Sequence, residues 1–298
     1  MNVSDLLKKS NDGIILLKEE LEYLLSFPCD SHESFLVLAE SSRVSRSLTN
    51  NQAEVHAQFA LNLSPCPKNC EFCSFSIKNK IFTQSIKLSP EEAVKNAMQF
   101  ENDGANAIFL MTTAQFELKE FCEIGMEIRK NLKADTTLVA NVGDKSLSEA
   151  KMLKSAGFQG VYHALRMGEG TQTDLDPKKR LESIMNFKEA GLSVGTCVEP
   201  IGPEHTNSEI VEAIIFTSQF DPAYSGAARR IPIPGTAMAK LGMISELRMS
   251  QIVAITRLGI SRNIKGLCTH EPCVIGACAG ANLFWAESGA NPRDTEEH

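Results

Sequence analysis

With 298 residues, 43% of them apolar, the chain can bury a large core as one barrel or as two modest domains. A net charge of −7 without a basic tract argues against a nucleic-acid partner. No apolar run reaches the roughly 20 residues that span a bilayer, and Met1–Lys9 lacks the features of a secretion signal, so no membrane contact and a cytoplasmic location are expected.

Residues 1–50 read as a helical cap. The segment from Leu16 to Leu25 carries apolar residues at helical spacing beside a charged face, and Pro28 ends it. A second helix is expected from Ser31 through Val37 and Leu38. From residue 51 to 298, short apolar runs alternate with longer amphipathic segments. The runs read as strands are Val55–Leu63, Ala107–Met111, Thr137–Asn141, Gly160–Ala164, Ser193–Val198, Ala223–Ala228, Asn263–Leu267 and Cys273–Cys278. Helices are expected to begin near Pro90, Glu117, Ser146, Asp176, Ser208 and Ser245. Ser89-Pro90-Glu91-Glu92 is the strongest start, with a capping serine, proline at the first helical position and acids in the first turn. Such alternation predicts a parallel sheet, and the whole pattern predicts an α/β fold, a (β/α)8 TIM-like barrel with an N-terminal helical extension. In barrels the reacting groups collect where strands end. That rule gathers residues 66–73, Thr112-Thr113, Asn141–Asp144, residues 166–169 and residues 198–202 at one mouth.

Nine cysteines, an odd number in a core-forming chain, argue against a disulfide framework. Cys66, Cys70 and Cys73 stand at C-x3-C-x2-C spacing directly after the first strand. Three close thiolates can hold three irons of a four-iron cluster and leave the fourth iron open. A structural zinc site would need a fourth ligand, and no Cys or His lies near in sequence. A later triplet, Cys268, Cys273 and Cys278, is spaced C-x4-C-x4-C, with Pro272 and Gly276 allowing close turns, and is tight enough for a second cluster. Read as a strand, Cys273–Cys278 would point its terminal cysteines to opposite faces, so a cluster there would need a loop or bulge. Cys29, Cys122 and Cys197 read as small core residues. His205 and His270 are polar, with no partner visible in the sequence.

The first triplet, with Phe72 just before its third cysteine, resembles the cluster loop of the radical S-adenosylmethionine (SAM) superfamily. From about residue 50 onward the chain is similar to the biotin synthase-like branch, including Arg229-Arg230-Ile231-Pro232-Ile233-Pro234-Gly235-Thr236 and the closing Ala279-Gly280-Ala281-Asn282 run. The resemblance implies a 4Fe-4S cluster on Cys66, Cys70 and Cys73. It also implies bound SAM, a low-potential electron donor, and a 5′-deoxyadenosyl radical that abstracts hydrogen from an unactivated carbon. Implied cofactor contacts are Phe72, Thr112, Asn141, Arg166, Glu169, Arg180 and Ile201, with Glu169 suited to ribose hydroxyls and the arginines to a carboxylate. Arg229 and Arg230 are candidates for an acidic substrate, with rim salt bridges as the alternative.

Cys197 sits where biotin synthase has one ligand of its sacrificial cluster. The second and third strands lack the other cysteines, so that cluster cannot be assembled here. Together with the late triplet, taken as a second 4Fe-4S cluster, the pattern resembles archaeal-type two-protein lipoyl synthases. Sulfur insertion into an octanoyl chain is therefore expected, with a lipoyl-domain or carrier protein and a second radical SAM protein as partners. The alternatives are another radical SAM reaction on the same scaffold (a lyase, a rearrangement or hydrogenase-cofactor assembly) and a non-catalytic iron-sulfur carrier.

Overall fold

The computed structural model describes residues 1–270 and 273–288. The chain is a TIM-like barrel of parallel strands and surrounding helices. Its strands are β1 (Glu54–Ala60), β2 (Asn62–Leu63), β3 (Ile86–Lys87), β4 (Ala107–Met111), β5 (Thr137–Asn141), β6 (Gly160–Tyr162), β7 (Ser193–Gly195), β8 (Val198–Ile201), β9 (Tyr224–Arg229), β10 (Gly266–His270) and β11 (Leu283–Ser288). Its helices are α1 (Val3–Asn11), α2 (Lys18–Leu25), α3 (His32–Thr49), α4 (Pro90–Asn102), α5 (Leu118–Asn131), α6 (Leu147–Ser155), α7 (Pro177–Glu189), α8 (Asn207–Ser218), α9 (Glu246–Gly259) and α10 (Val274–Cys278). No helix among the described residues is long and apolar enough to cross a membrane.

Side-chain caps set most helix starts. Ser89, Ser146 and Thr206 each accept from the backbone N–H three residues on, where a glutamate reaches back to the cap's own N–H. Asp176 and Ser245 cap α7 and α9 in the simpler way. Strand β4 reads Ala-Ile-Phe-Leu-Met and is buried throughout, as a parallel strand covered on both faces requires.

Two compact units divide the chain. One comprises Glu54–Gly195, Ile231–Lys240 and the described residues from Trp285 on. In it β1, β4, β5, β6 and β7 pair in parallel, with His56 opposite Ala107, Ala107 opposite Thr137, Val139 opposite Gly160 and Gly160 opposite Ser193. Trp285 packs edge-on to Phe109 at 4.5 Å between ring centres, and His56 stacks on Phe109 at 5.3 Å.

The other unit comprises Met1–Ala53, Thr196–Arg230 and Leu241–Phe284. Here β9 lies between β8 and β10, with Val198 opposite Ala227 and Cys268 opposite Gly226. The N-terminal helices are tied into this unit by Ser41 Oγ donating to Ala279 O at 2.6 Å, Gln251 to Phe27 O at 2.9 Å and Arg262 to Ser10 O at 3.0 Å. Helix α9 is buried along almost its whole length, and the fully buried Arg257 donates to Ile264 O at 2.7 Å and to Lys265 O at 3.2 Å.

Four expected strands differ, and one of them, expected at Asn263–Leu267, instead runs Gly266–His270. The first ends at Ala60, and Asn62–Leu63 instead pairs antiparallel with Ile86–Lys87. The fifth is interrupted at Thr196-Cys197. The expected strand Cys273–Cys278 is the short helix α10: Cys273 Sγ accepts from Gly276 N–H at 3.2 Å and caps it. The last strand is Leu283–Ser288, directly after the closing Ala279–Asn282 run. Pro272 lies outside the described residues.

Candidate functional site

The cysteine loop rises from a closed base. Asn62 pairs with Lys87 and Leu63 with Ile86, so β2 and β3 pin both ends of the segment 64–85, and Ser64 and Ser85 meet at 2.8 Å between hydroxyls. Leu63, Phe75, Phe82 and Met111 form an apolar floor against which Cys66 and Cys73 pack. Asn62 exchanges two hydrogen bonds with Thr113, at 2.8 and 3.0 Å, and so ties the loop to the end of β4. Within the loop, Cys66 N–H donates to Phe75 O, Ile77 N–H to Cys66 O, and Asn79 to Cys73 O at 2.8 Å. Asn69 takes the left-handed conformation that asparagine tolerates.

A second segment, 166–176, is laced to this loop. Glu71 N–H donates to Gln172 O at 2.9 Å and Asp174 N–H to Lys68 O at 2.7 Å. Asn69 donates to the Asp174 carboxylate at 2.5 Å. Glu169 is almost fully buried and accepts from Arg166 N–H and from the Thr173 hydroxyl, each at 3.0 Å. Arg166 and Arg180 stand 4.0 and 3.9 Å from its carboxylate.

Arg180 extends from the first turns of α7 into the interior and is 4% exposed. Its guanidinium lies 3.2 Å from Asp144 Oδ1 and 3.0 Å from His163 Nδ1. His163 Nε2 is 3.1 Å from the same Asp144 oxygen. The same Arg180 nitrogen is 2.9 Å from Nε2, so the guanidinium lies over both ring nitrogens while Nε2–H faces Asp144. Burial first, and then the Arg180 charge, push the His163 pKa down to about 3, so the ring stays neutral. Burial acts to raise Asp144, but the His163 hydrogen bond and the Arg180 charge outweigh it and hold the carboxyl below its usual range. Arg180 itself is lowered, by burial and then by the neighbouring Arg166 charge.

The thiols belong to the same electrostatic neighbourhood. Burial pushes Cys70 up to about 11, with Arg166 the strongest opposing influence. Cys73 keeps some exposed surface, yet its thiol is enclosed, and burial followed by the Cys70 charge pushes it up to about 12. Four buried polar atoms of the loop and its clamp have no hydrogen-bond partner: Asn69 Oδ1, Ser76 Oγ, Gln172 Oε1 and Arg180 Nε.

The other expected site residues are placed as follows. Phe72 is half-buried on the loop. Thr112 N–H donates to Asn141 O, and the Asn141 amide donates to Gln58 at 2.9 Å, which in turn donates to Glu287 at 3.0 Å. All these residues lie in the same unit as Cys66, Cys70, Cys73, Arg166, Glu169 and Arg180. In the other unit, Ile201 is fully buried at the end of β8. There Arg230 is 2% exposed and pairs with Glu204, and Arg229 stands 3.6 Å from Glu246. Both arginines thus face acids already. His205 accepts from Gly202 N–H at 2.9 Å. Cys268 is buried on β10 with its sulfur 3.7 Å from Cys197 Sγ, Cys273 caps α10, and Cys278 is exposed. Burial and then the Cys268 thiol raise Cys197 well above the usual thiol range.

Sequence reasoning missed Asp144 and His163 as partners of Arg180, Glu204 as partner of Arg230, and the contact of Cys197 with Cys268. The first two left a trace, since Asp144 and His163 each follow a strand end, where barrel function collects.

Residues 65–217 match the family model described as the radical SAM superfamily, about half of the chain. The chain belongs to the radical SAM superfamily. It is similar to the biotin synthase of Gloeobacter violaceus, at 27% identity over 74% of this chain and 73% of that protein. Among solved structures, methylornithine synthase (PylB) superposes with a TM-score of 0.82 at 16% identity over 94% of this chain and 85% of that one. HydG, a maturase of the FeFe-hydrogenase, also superposes at 0.82 and 16% identity, over 98% of this chain and 69% of that one. These two show the fold.

For a radical SAM enzyme the family implies a 4Fe-4S cluster, SAM and an electron donor. The enclosed thiols beside cationic Arg166 and Arg180 fit a metal centre and an anionic ligand group, and the four unpartnered polar atoms fit a polar cofactor. Among the described residues no three His, Cys, Asp or Glu side chains stand close enough to share a single ion. Cluster thiolates each take a separate iron, so this close grouping is not what a four-iron cluster asks for.

Proposed function

We propose that this radical SAM enzyme inserts sulfur into the aliphatic chain of an octanoyl group, as in lipoyl synthesis. Cys66, Cys70 and Cys73 hold the 4Fe-4S cluster. When bound, the cluster supplies the electron that cleaves SAM to methionine and a 5′-deoxyadenosyl radical. Phe72, Thr112 and Asn141 would border the cofactor from the loop and the strand ends. Glu169, held by Arg166 N–H and Thr173, presents a carboxylate to the ribose. Arg166 and Arg180 bind the methionine carboxylate, with Arg180 oriented by Asp144 and neutral His163. Burial of these groups strengthens each charge contact and keeps water from the radical.

The observation that carries the sulfur assignment is a second group of thiols away from the first triplet. Cys268, Cys273 and Cys278 lie in the other compact unit, and Cys268 is in sulfur contact with Cys197. A second 4Fe-4S cluster on the late triplet would be the sulfur source. The substrate is an octanoyl chain on a lipoyl domain or similar carrier, and a second radical SAM protein completes the pair of insertions. Arg229 and Arg230 would meet an acidic group of the substrate only after exchange of their present acidic partners.

The test is anaerobic reconstitution of the chain, followed by SAM, a strong reductant and an octanoylated lysine peptide. The expected products are 5′-deoxyadenosine and a peptide in which C–H hydrogen is replaced by sulfur. Formation of 5′-deoxyadenosine without sulfur in any octanoyl peptide, even with the partner protein present, refutes the assignment. The structural likeness to methylornithine synthase and HydG favours one other reading, a carbon-skeleton rearrangement, lyase or hydrogenase-cofactor reaction on the same scaffold. An iron content of about four per chain favours that reading, because a single cluster leaves no sulfur source.

A further inference from the structure

The cysteine loop is basic in an acidic protein. Residues 64–88 carry four lysines and one glutamate, whereas the whole chain has a net charge of −7. Two of these lysines, Lys78 and Lys80, are exposed on the turn that follows the third cysteine, beside Ile77, which is 48% exposed. The other two are less available: Lys87 is engaged by Glu120 at 2.7 Å, and Lys68 is half-buried. Lys78 has a loose contact, 3.7 Å from the exposed Asp174.

Lys80 is held in the left-handed backbone region, at φ 55°. That region costs an ordinary side chain about 1–2 kcal/mol, while asparagine or glycine takes it more easily. The position thus keeps a cationic side chain against the preference of its backbone. The same turn reaches the main chain of all three cysteines. Ile77 N–H donates to Cys66 O at 3.1 Å, and the Asn79 amide donates to Cys73 O at 2.8 Å and to Cys70 O at 3.4 Å. Behind it, Phe75 and Phe82 pack at 5.5 Å between ring centres in the apolar floor and fix its position.

A carrier protein must come close to the group it reduces, because electron transfer falls steeply with distance. Encounters between redox proteins use small interfaces, below about 1,200 Å² in total, and opposite charges steer them. An exposed apolar residue beside two cations, hydrogen-bonded to the cysteine backbone, meets these needs. We infer that the turn 77–80 is the docking surface for the electron donor, a small acidic carrier protein whose carboxylates face Lys78 and Lys80 and whose apolar centre meets Ile77. The carrier passes one electron inward to the cluster on the first triplet and is itself oxidised by one; no bond forms or breaks. The inference rests on the reading of Cys66, Cys70 and Cys73 as cluster ligands.

The experiment drives the reconstituted protein with reduced flavodoxin, an acidic carrier, and separately with dithionite, and reads the 5′-deoxyadenosine formed from SAM. Titration calorimetry measures the binding of oxidised flavodoxin beside it. Lys78→Glu/Lys80→Glu is expected to raise KM for flavodoxin and to weaken its binding, each about tenfold at low salt, with the difference shrinking at high salt. Its rate with dithionite should match the wild type. Lys80→Asn should weaken binding about threefold, as loss of one exposed ion pair does, without lowering the melting temperature, because asparagine tolerates the left-handed backbone. Lys95→Glu/Lys151→Glu makes the same charge change on the exposed sides of α4 and α6 and should leave binding near the wild-type value. Unchanged flavodoxin KM and binding in Lys78→Glu/Lys80→Glu, or an equal change in Lys95→Glu/Lys151→Glu, overturns the inference. A parallel fall of both rates also overturns it, since the turn would then only support the loop. A wild type inactive even with dithionite removes the cluster reading instead, and the binding measurement still decides the docking surface.

Discussion

Replacing Arg180 with methionine tests the buried network beside the cysteine loop. Arg180 is 4% exposed, and its loss leaves Asp144 without a cation at 3.2 Å and Glu169 without one at 3.9 Å. Breaking one side of a buried ion pair costs about 3–5 kcal/mol. The lower end applies, for two reasons. Asp144 is 23% exposed at its side chain and keeps the His163 hydrogen bond, and Glu169 keeps its bonds from Arg166 N–H and Thr173. About 3 kcal/mol is therefore expected for Arg180→Met. Arg180→Lys keeps the charge but loses the planar fork, and should cost about 1.5–3 kcal/mol, the worth of a hydrogen bond to a charged group. The assay is equilibrium urea unfolding of the iron-free chain, with unchanged m-values as the check that only stability moved. Asp144→Asn supplies the second arm, since in the double variant Arg180→Met/Asp144→Asn the unpaired charge is gone. Its cost should fall short of the sum of the two single costs by at least about 1 kcal/mol. A loss below about 1 kcal/mol for Arg180→Met, or strict additivity with Asp144→Asn, refutes the idea that this arginine neutralises buried acids.

Three further predictions concern the same two regions. His163 has a folded pKa of about 3, depressed by burial from 6.5. Its contribution is whole above pH 6.5 and is lost as pH falls toward 3, because the unfolded chain takes up the proton first. Between these values the unfolding free energy from urea titrations should decline with a component of about 1.4 kcal/mol per pH unit that His163→Gln removes; an identical decline in the variant from pH 7 to 4 counts against it. Cys70→Ser should lose the first cluster's about four irons, together with 5′-deoxyadenosine formation, and retention of either by a folded variant removes the assignment of that loop. Gly226→Ala forces a methyl group against Cys268 and should cost about 1–3 kcal/mol, as overpacking does. Calorimetry that shows no loss, against Gly143→Ala, where a methyl group meets only ordinary contacts, would show that the approach of β9 to β10 is slack.

How much of this was legible in the sequence depended on the range of the interaction. Helix starts such as Ser89, Ser146 and Asp176 were readable because a cap acts within one turn. Strand β4 was readable because five consecutive apolar residues suit a strand buried on both faces. The run Val-Ile-Gly-Ala-Cys was not, since a short apolar stretch carries no period that separates strand from helix, and Cys273 in the capping role is an unusual signal. Leu283–Ser288 is hard to read as a strand because a short stretch after a Gly-containing run carries no clear alternation. In the site, the spacing of Cys66, Cys70 and Cys73 is a local code and was visible at once. Asp144, His163 and Arg180 come from the ends of two strands and the start of a helix, so their meeting depends on strand register, which one sequence does not reveal. Cys197 and Cys268 are the sharpest case. They are 71 positions apart, and what joins them is a glycine on the strand between. Counted along the chain, Cys268 belongs with Cys273 and Cys278; measured across the sheet, it belongs with Cys197. Parallel strands impose this difference, because each step to a neighbouring strand passes through a helix. Thiols that meet across them therefore leave no spacing motif, and in this enzyme the cluster loop is written in a motif while the Cys197–Cys268 contact is written in register.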